Sequence, residues 1–262
     1  MRKKAIRSES RIAIIVPIYH REEDTMKCLE SFKSMDHGGK EIFIYFVVNG
    51  ASESFLEKIK SISDEINRVT HPSIISYVKE PGDNLGKPVA VNIYAKEAIS
   101  TKDVGYIVSM DSDMVPLDDR WVTRLSFEWY LLSIRSDFRV GAICGNQSGN
   151  NCHVPLEPKT IDIEYQGSSF IIAKGNNGIA GGVLFTSSYD WETVNGYNAH
   201  RIYGSDDGHF CLAKEKEGKK VVLSINTTFF HPFPDDDGYS NWKKRAIEDN
   251  LKDEEKGGYY VL

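Results

Sequence analysis

The first half of the chain alternates between short apolar runs and longer segments whose apolar residues recur every three to four positions. The runs are typical of buried strands, and the longer segments are typical of amphipathic helices. The predicted strands are residues 12–19, 42–48, 74–78 and 105–110, and the predicted helices are residues 22–35, 55–66 and 89–98. Strands that alternate with helices indicate βαβ units, and therefore an α/β protein with a mostly parallel sheet flanked by helices.

The second half has a less regular pattern. It predicts helices over residues 121–134 and 206–216, and strands over residues 140–144, 170–173, 182–186 and 221–223. Residues 145–151 and 175–178 are rich in glycine and asparagine, which favours flexible loops that could act as acceptor or lid loops. A charged segment over residues 243–256 predicts a surface helix.

The two halves are interpreted as lobes of one domain, because neither an internal repeat nor a Pro- or Ser-rich linker separates them. Residues 10–115 form the first predicted half and residues 116–235 the second half. Residues 236–262 form a C-terminal helix or tail, so that the single domain spans residues 1–262.

Composition excludes several classes of protein. The 262 residues are 40% hydrophobic and 27% charged, as expected of a globular protein. A formal charge of −6 argues against a general nucleic-acid-binding protein. No apolar stretch reaches the roughly 18 residues that a membrane span needs, and no signal peptide follows the basic start. With four cysteines and no Cys-x-x-Cys pair, we expect reduced thiols and a cytoplasmic protein, for which peripheral membrane association stays open.

Polar residues directly after the predicted strands are the first candidates for a functional site. Ligands of parallel α/β sheets bind beyond the carboxyl ends of the strands. At these ends the chain carries Tyr19 to Glu22, Asn49, and Asp111 to Asp113. The sequence therefore predicts that these three groups line one crevice.

The pair Asp111 and Asp113, separated by Ser112, is the strongest local signal. Two carboxylates about 4 Å apart repel each other by about 4 kcal/mol at an effective dielectric constant of 20. A divalent cation relieves this repulsion, and oxygen ligands suit Mg or Mn. The ordinary structural explanation is that the two acids cap the helix that follows Asp118.

Three further motifs carry candidate chemistry. In residues 84–92, Gly86 allows the backbone to approach a ligand closely, and Lys87 beside it offers a point charge for a phosphate. An ordinary helix start, with Pro88 in the first turn, explains the same residues equally well. Asp206 and Asp207 open a helix, where acids also complement the helix dipole, and one of them could act as a general base. His231 follows an apolar strand and becomes a candidate only if it converges with Asp113.

Together these motifs resemble the nucleotide-sugar-dependent glycosyltransferases of the GT-A fold, in the family 2 clan. Residues 16–22 resemble the opening strand and loop of that family, and residues 84–92 its Asn-x-Gly-x-x-x-Ala-x-Asn helix. Asp111-Ser112-Asp113 resembles its metal motif. Residues 181–186, 194–197, 206–207 and 217–220 follow its acceptor-side half in order, and look particularly like the β-1,4-galactosyltransferase pattern. The resemblance covers roughly residues 10–235 and implies a Rossmann-like central sheet with a smaller acceptor-side lobe.

The resemblance implies an inverting transfer from a nucleoside-diphosphate sugar, UDP-linked, to a hydroxyl of a glycan or glycolipid, in polysaccharide assembly. By matching positions, Asp207 is the catalytic base, and Asp206 and Gly182 lie on the acceptor side. Asp111, Asp113 and His231 are the implied ligands of Mn or Mg. The implied donor and nucleotide residues are Pro17, Tyr19, Glu22, Asn49, Gly86, Lys87, Asp111 and Ser112.

The chain departs from the family pattern at four places. Asn49 stands where the second strand of the family usually ends in Asp residues that contact the base, and its amide both donates and accepts, so it can pair with uracil. His20 and His209 stand where the family commonly has Asn and an acid. The Arg that is common after the Gly-Gly strand is absent, and Thr186 lies in its region.

Two other functions remain alternatives. A non-catalytic sugar- or Ca-binding module could use Asp235 to Asp237, although three successive acids are more typical of a solvated loop. A sugar-nucleotide pyrophosphorylase would carry a Gly-rich basic loop after the first strand, where this chain has residues 17–21 without glycine. A dinucleotide oxidoreductase is excluded because Gly-x-Gly-x-x-Gly is missing at the first turn.

Overall fold

The computed structural model describes residues 8–70, 72–135, 137–149, 159–163, 168–172, 182–199 and 206–232, together with positions 241 and 245. The first half folds as alternating strands and helices, as the hydrophobic pattern predicts. Its elements are β1 (Ser8–Ile18), α1 (Glu22–Ser31), β2 (Glu41–Val48), α2 (Glu53–Thr70), β3 (Ile74–Lys79), α3 (Gly86–Lys102) and β4 (Val104–Met110).

The second half adds shorter helices and a longer final strand. Its elements are β5 (Val115–Pro116), α4 (Trp121–Ser133), β6 (Val140–Gly149), β7 (Lys159–Ile163), β8 (Ser168–Ile172), β9 (Val183–Ser187), α5 (Ser188–Thr193), α6 (Asp206–Lys216) and β10 (Lys220–His231).

All these strands join one mixed sheet in the order β3-β2-β1-β4-β9-β6-β10-β8-β7, with β5 paired to β10. The strands β3, β2, β1 and β4 are parallel, which confirms the predicted βαβ arrangement. Beyond β4 the sheet changes direction, because β9 runs antiparallel to both β4 and β6. The parallel half therefore presents its carboxyl ends on one edge, next to the loops of the second half.

The sheet is buried on both faces. In β1, Ile12, Ile14 and Val16 join the core beneath α1, α2 and α4, whereas Ala13 and Ile15 join the core beneath α3, α5 and α6. Alternating side chains of one strand therefore pack into two separate cores, one on each face of the sheet. A strand that is covered on both sides reads as a continuous apolar run, which explains the signal in the sequence.

Several predicted boundaries are corrected by the structure. Residues 145–149, predicted as a flexible loop, continue strand β6, because Gly145 pairs with Ser224 and residues 146–149 pair with the far end of β10, residues 228–231. A Cβ at Gly145 would lie 2.4 Å from the Phe229 ring, so glycine here permits close packing rather than flexibility. The strand predicted over residues 221–223 extends to His231 for the same reason.

Helix bounds differ less. Helix α1 ends at Ser31 and a 3₁₀ turn, Phe32–Ser34, completes the segment predicted as helix to residue 35. Helix α3 begins at Gly86, three residues earlier than predicted, and ends later, at Lys102. Residues 150–151, 175–178, 235–237 and most of 243–256 lie outside the described residues.

Cys28, Cys144 and Cys211 are buried free thiols, as predicted. Cys152 falls outside the described part of the chain. Within that part, the structure contains no helix that combines the length and the apolar character required to span a membrane.

Candidate active site

Parallel pairing brings the ends of β1, β2 and β4 to one edge of the sheet. Ile18 at the end of β1 stands beside Val48 at the end of β2, and the Asn49 N–H donates to the Ile18 carbonyl at 2.9 Å. Met110 ends β4 on the other side of β1. The strand-end groups predicted from the sequence therefore lie along one edge of the sheet.

Asn49 is buried beneath the start of α3. Its Nδ2 lies 3.5 Å from the Gly86 carbonyl, and within the described residues its Oδ1 has no hydrogen-bond partner. A buried amide oxygen without a partner costs free energy unless a ligand or water supplies a donor. The geometry makes Asn49 a position at which a donor group of a ligand would be bound.

Asp113 is buried and faces one arginine and one histidine side chain. Its Oδ2 lies 3.4 Å from His231 Nε2, and the same oxygen accepts a hydrogen bond from Arg21 Nη1. Burial alone would lower the pKa of His231, but the Asp113 carboxylate outweighs it and raises that pKa. His231, predicted to matter only if it converged with Asp113, does converge with it.

Asp111 is paired with Lys87 rather than with Asp113. The Lys87 Nζ lies 2.8 Å from Asp111 Oδ1 and 3.4 Å from Asp206 Oδ2, so one ammonium bridges β4 and α6. Burial alone would lower the pKa of Lys87, but the carboxylates of Asp111 and Asp206 raise it well above its ordinary value. For Asp111 burial dominates, and with the charge of Asp113 it raises the pKa despite Lys87.

Asp206 and Asp207 form the first turn of α6 but have different surroundings. Asp206 is buried against Lys87, whereas Asp207 is partly exposed. The Asp207 Oδ1 accepts the Gly208 N–H at 2.8 Å. Of the two, Asp207 has the carboxylate that can meet a molecule entering from solvent.

A pair of hydrogen bonds fixes the loop before α6 to α3. Asn92 Nδ2 donates to the Tyr197 carbonyl, and the Tyr197 N–H donates to Asn92 Oδ1, both at 2.8 Å. Gly196 has φ +73°, and a Cβ there would lie 2.3 Å from Asn92 Oδ1. This contact explains why the last Asn of the 84–92 motif and the Asn-Gly-Tyr motif occur together.

An aromatic cluster then seats α6 on the same loop. The Trp191 ring lies 4.9 Å from the Tyr197 ring and 5.3 Å from the Phe210 ring, measured between centroids. Phe210 belongs to α6. The position of Asp207 therefore depends on Asn92 through Tyr197 and Phe210.

The other predicted residues occupy supporting positions. The Gly182 carbonyl accepts the Asp111 N–H at 2.8 Å, so Gly182 fixes the start of the acidic motif. The Ser112 Oγ lies 3.3 Å from Thr25 Oγ1 in α1. Pro17 lies within β1 opposite Val47. Tyr19 packs its ring beside Gly50.

Glu22 lies away from the acids. It is exposed and accepts a hydrogen bond from Ser52 at 3.3 Å. The interpretation of Asp111 and Asp113 as helix caps is wrong, because α4 begins only at Trp121 and Asp118 accepts the Arg120 N–H near its start.

Asp113 and His231 fit a divalent cation. Two ligands at a right angle on an ion with bonds of about 2.1 Å stand about 3.0 Å apart, close to the 3.4 Å observed between Asp113 Oδ2 and His231 Nε2. Carboxylate and imidazole suit Mn. Among the described residues no group of three His, Cys, Asp or Glu side chains forms a complete ligand set. Asp111, which the motif predicted as a ligand, is engaged by Lys87.

Arg21 is the functional candidate that the sequence interpretation missed. It lies in the segment quoted for the resemblance, but a lone Arg after a strand has no periodicity or spacing that marks it. Two consecutive left-handed residues, His20 with φ 57° and Arg21 with φ 53°, turn its side chain towards Asp113. Only the folded chain shows this turn.

The fold of this chain is similar to that of several solved structures. The structure is similar to a mannosyltransferase, PcManGT from Pyrobaculum calidifontis, in complex with GDP-Man and Mn²⁺, with a TM-score of 0.65, 16% identity and coverage of 96% of this chain and 66% of that one. It is also similar to S. aureus TarS (1–349) in complex with UDP, with a TM-score of 0.58, 13% identity and coverage of 92% and 65%. It is similar as well to GalNAc-T7 with UDP, GalNAc and Mn²⁺, with a TM-score of 0.59, 12% identity and coverage of 85% of this chain and 43% of that one.

The fold is thus the GT-A fold that these glycosyltransferases have, as the motifs implied. Residues 13–129 match the sequence model of the family Glycosyl transferase family 2. That match covers β1 to α4 and therefore the half that carries Asp111 and Asp113. The chain spans less than two thirds of the length of the structures named above. Among curated proteins none matches the sequence significantly.

Proposed function

We propose that this glycosyltransferase moves a sugar, with inversion, from a nucleoside-diphosphate donor to a hydroxyl group of a glycan or glycolipid, assisted by Mn or Mg. One observation carries the proposal. Lys87 Nζ lies within 3.4 Å of both Asp111, which we assign to the donor side, and Asp206, which we assign to the acceptor side, and this closeness supports a single transfer site.

The donor nucleotide is proposed to lie across the ends of β1 and β2. The Oδ1 of Asn49, which has no partner in the described part of the chain, is a hydrogen-bond acceptor, and its Nδ2 is a donor. Uracil offers an N–H flanked by carbonyl oxygens, which matches an amide. Two similar structures contain UDP and one contains GDP-Man. We therefore propose UDP as the donor nucleotide, with Asn49 in contact with the base.

Charge governs how the diphosphate is held. Asp113 and His231 would hold the divalent cation, which would offset negative charge on the departing nucleoside diphosphate. Lys87 and Arg21 are the described cations nearest to the acidic motif. Each can also stabilise phosphate oxygens, Lys87 as a point charge and Arg21 as a fork.

The chemical step is assigned to Asp207. A carboxylate at this position would accept the proton of the acceptor hydroxyl while its oxygen attacks the anomeric carbon from the face opposite the leaving group. Asp206 holds Lys87 and keeps the first turn of α6 against the donor side. Its predicted contact with the acceptor, and that of Gly182, remain part of this proposal.

Two matched variants test the assignment. Asp207→Asn should lower the transfer rate by about a hundred-fold or more and leave UDP affinity within about two-fold, because only proton acceptance is lost. Asp206→Asn should raise the UDP dissociation constant or lower stability through Lys87, with a smaller loss of rate. A loss of rate confined to Asp206→Asn would place the base one residue earlier and would contradict the assignment.

The donor is tested separately. Thermal unfolding in the presence of UDP-, GDP- and other nucleotide sugars, with and without Mn²⁺, should show the largest stabilisation with a UDP-sugar and the metal, because a ligand of the native state raises the melting temperature by mass action. Stabilisation by GDP-sugars alone would refute the uracil assignment.

A further inference from the structure

We propose that Arg21 is an internal counterion that competes with the divalent cation for Asp113 and is released from it when the donor diphosphate binds. This inference rests on the proposed metal-dependent function. Metal and donor would then bind cooperatively, and the free enzyme would hold the metal weakly.

The first observation is that one carboxylate oxygen serves two partners. Asp113 Oδ2 accepts the hydrogen bond from Arg21 Nη1 and is the oxygen that faces His231 Nε2 at 3.4 Å. A cation that bridges Asp113 and His231 must bind this same oxygen. Since Arg21 carries a full positive charge, its guanidinium and the cation exclude each other there both sterically and electrostatically.

The second observation is that Arg21 is held in place from two sides. Its Nη2 donates to Asp24 Oδ2 at 2.7 Å, and its side chain is 12% exposed. Its backbone and that of His20 are both left-handed, which is rare for two consecutive non-glycine residues. Unusual backbone of this kind persists where surrounding contacts enforce it, and it recurs in switch and ligand-binding segments.

The third observation is that Arg21 has a neighbouring anion on which it can remain after release. Asp24 lies in the same helix turn, so the guanidinium can leave Asp113 and keep one ion pair. A diphosphate at the strand ends would supply oxygens that match the guanidinium fork. Because the charge that displaces Arg21 arrives with the nucleotide, nucleotide binding would expose Asp113 Oδ2 to the cation.

The test measures Mn²⁺ binding itself, by calorimetry or by the electron paramagnetic resonance of free Mn²⁺, without donor. Arg21→Gln should bind Mn²⁺ about ten-fold more tightly than the native enzyme, because a charge-assisted hydrogen bond of this size corresponds to about ten-fold in an equilibrium constant. UDP should tighten Mn²⁺ binding less in Arg21→Gln than in the native enzyme, and Mn²⁺ should tighten UDP binding less by the same factor.

Two controls isolate the effect. Arg11→Gln removes the same charge from the opposite end of β1, where Arg11 pairs with Glu41 at 2.9 Å, and should leave Mn²⁺ affinity unchanged. Arg21→Lys keeps the positive charge but loses the forked guanidinium, so its Mn²⁺ affinity should lie between those of the native enzyme and Arg21→Gln. If Arg21→Gln fails to fold, Arg21→Lys alone must bind Mn²⁺ more tightly than the native enzyme.

The outcomes separate this inference from the proposed function. If the native enzyme binds Mn²⁺ with UDP, but Arg21→Gln binds it no more tightly than the native enzyme without UDP, the role of Arg21 is wrong and the metal site stands. If neither protein binds Mn²⁺ under either condition, the metal site and the inference both fall.

Discussion

Replacing Asn92 with alanine removes both hydrogen bonds that tie α3 to the loop before α6. The Tyr197 N–H and carbonyl each lose a partner at 2.8 Å. A buried backbone group without a partner costs about 1–3 kcal/mol. Asn92 is half-buried and water can replace part of the loss, so we expect about 2–4 kcal/mol in total. For a chain of this size that corresponds to a melting temperature lower by about 5–10 °C.

Activity should fall as well, because the two hydrogen bonds between Asn92 and Tyr197 help to position α6. Tyr197 packs on Trp191, which stacks on Phe210 of α6. A looser loop displaces the first turn of α6, and small displacements of reacting groups are costly. At a temperature well below unfolding, Asn92→Ala should lower kcat by about ten-fold or more.

Asn67 provides the matched control. Its side chain also bonds one backbone N–H and one carbonyl, those of Ser76 at the edge strand β3, at 2.7 and 3.1 Å. It is half-buried to a similar degree. Asn67→Ala should therefore destabilise the fold comparably and leave kcat unchanged. Equal kcat values for the two alanine variants would refute the link between Asn92 and helix α6.

Three further predictions concern charge and packing. Burial outweighs the hydrogen bond from Asn226 and raises the pKa of Glu128 above 4.5. The folded state then binds this proton more tightly than the unfolded state, so the stability of the native protein falls as pH rises from 4.5 through the folded pKa. In urea unfolding, Glu128→Gln should be more stable than the native protein at pH 7 and should lose that advantage near pH 4. A stability difference that does not depend on pH would contradict this. Gly145→Ala should cost about 1–3 kcal/mol in thermal unfolding, because its Cβ would lie 2.4 Å from the Phe229 ring, and an unchanged melting temperature would disprove the close packing. Lys87→Met should lower the free energy of unfolding in urea by about 2–3 kcal/mol at pH 7, because it leaves the carboxylates of Asp111 and Asp206 without their cation. A decrease below about 0.5 kcal/mol would show that the ion pairs of Lys87 do not stabilise the fold.

The parallel half of the fold could be predicted because its strands are buried on both faces. A segment such as Ile12 to Ile18 is continuously apolar for that reason. The rule that ligands bind beyond strand ends then selects Asn49 and Asp111, which the structure places along the same edge of the sheet. Helix α6 was predicted at its observed bounds, Asp206–Lys216.

The rest depends on contacts between distant segments. Gly145 to Gly149 have the composition of a loop, and they form a strand because Gly145 pairs with Ser224 and residues 146–149 pair with residues 228–231 of β10. Asn92 and Tyr197 are 105 positions apart, so a single sequence does not reveal their pairing. Lys87 was predicted to face a phosphate, and the structure shows it between Asp111 and Asp206.

The account depends most directly on a divalent cation that joins Asp113 to the donor diphosphate. The decisive measurement is the dissociation constant of UDP with and without Mn²⁺, by calorimetry, for the native enzyme and for Asp113→Ala. We predict that Mn²⁺ tightens UDP binding by at least about ten-fold in the native enzyme, a coupling of about 1.4 kcal/mol, and has no effect on Asp113→Ala. A native enzyme that binds UDP equally well with and without the metal would contradict the account.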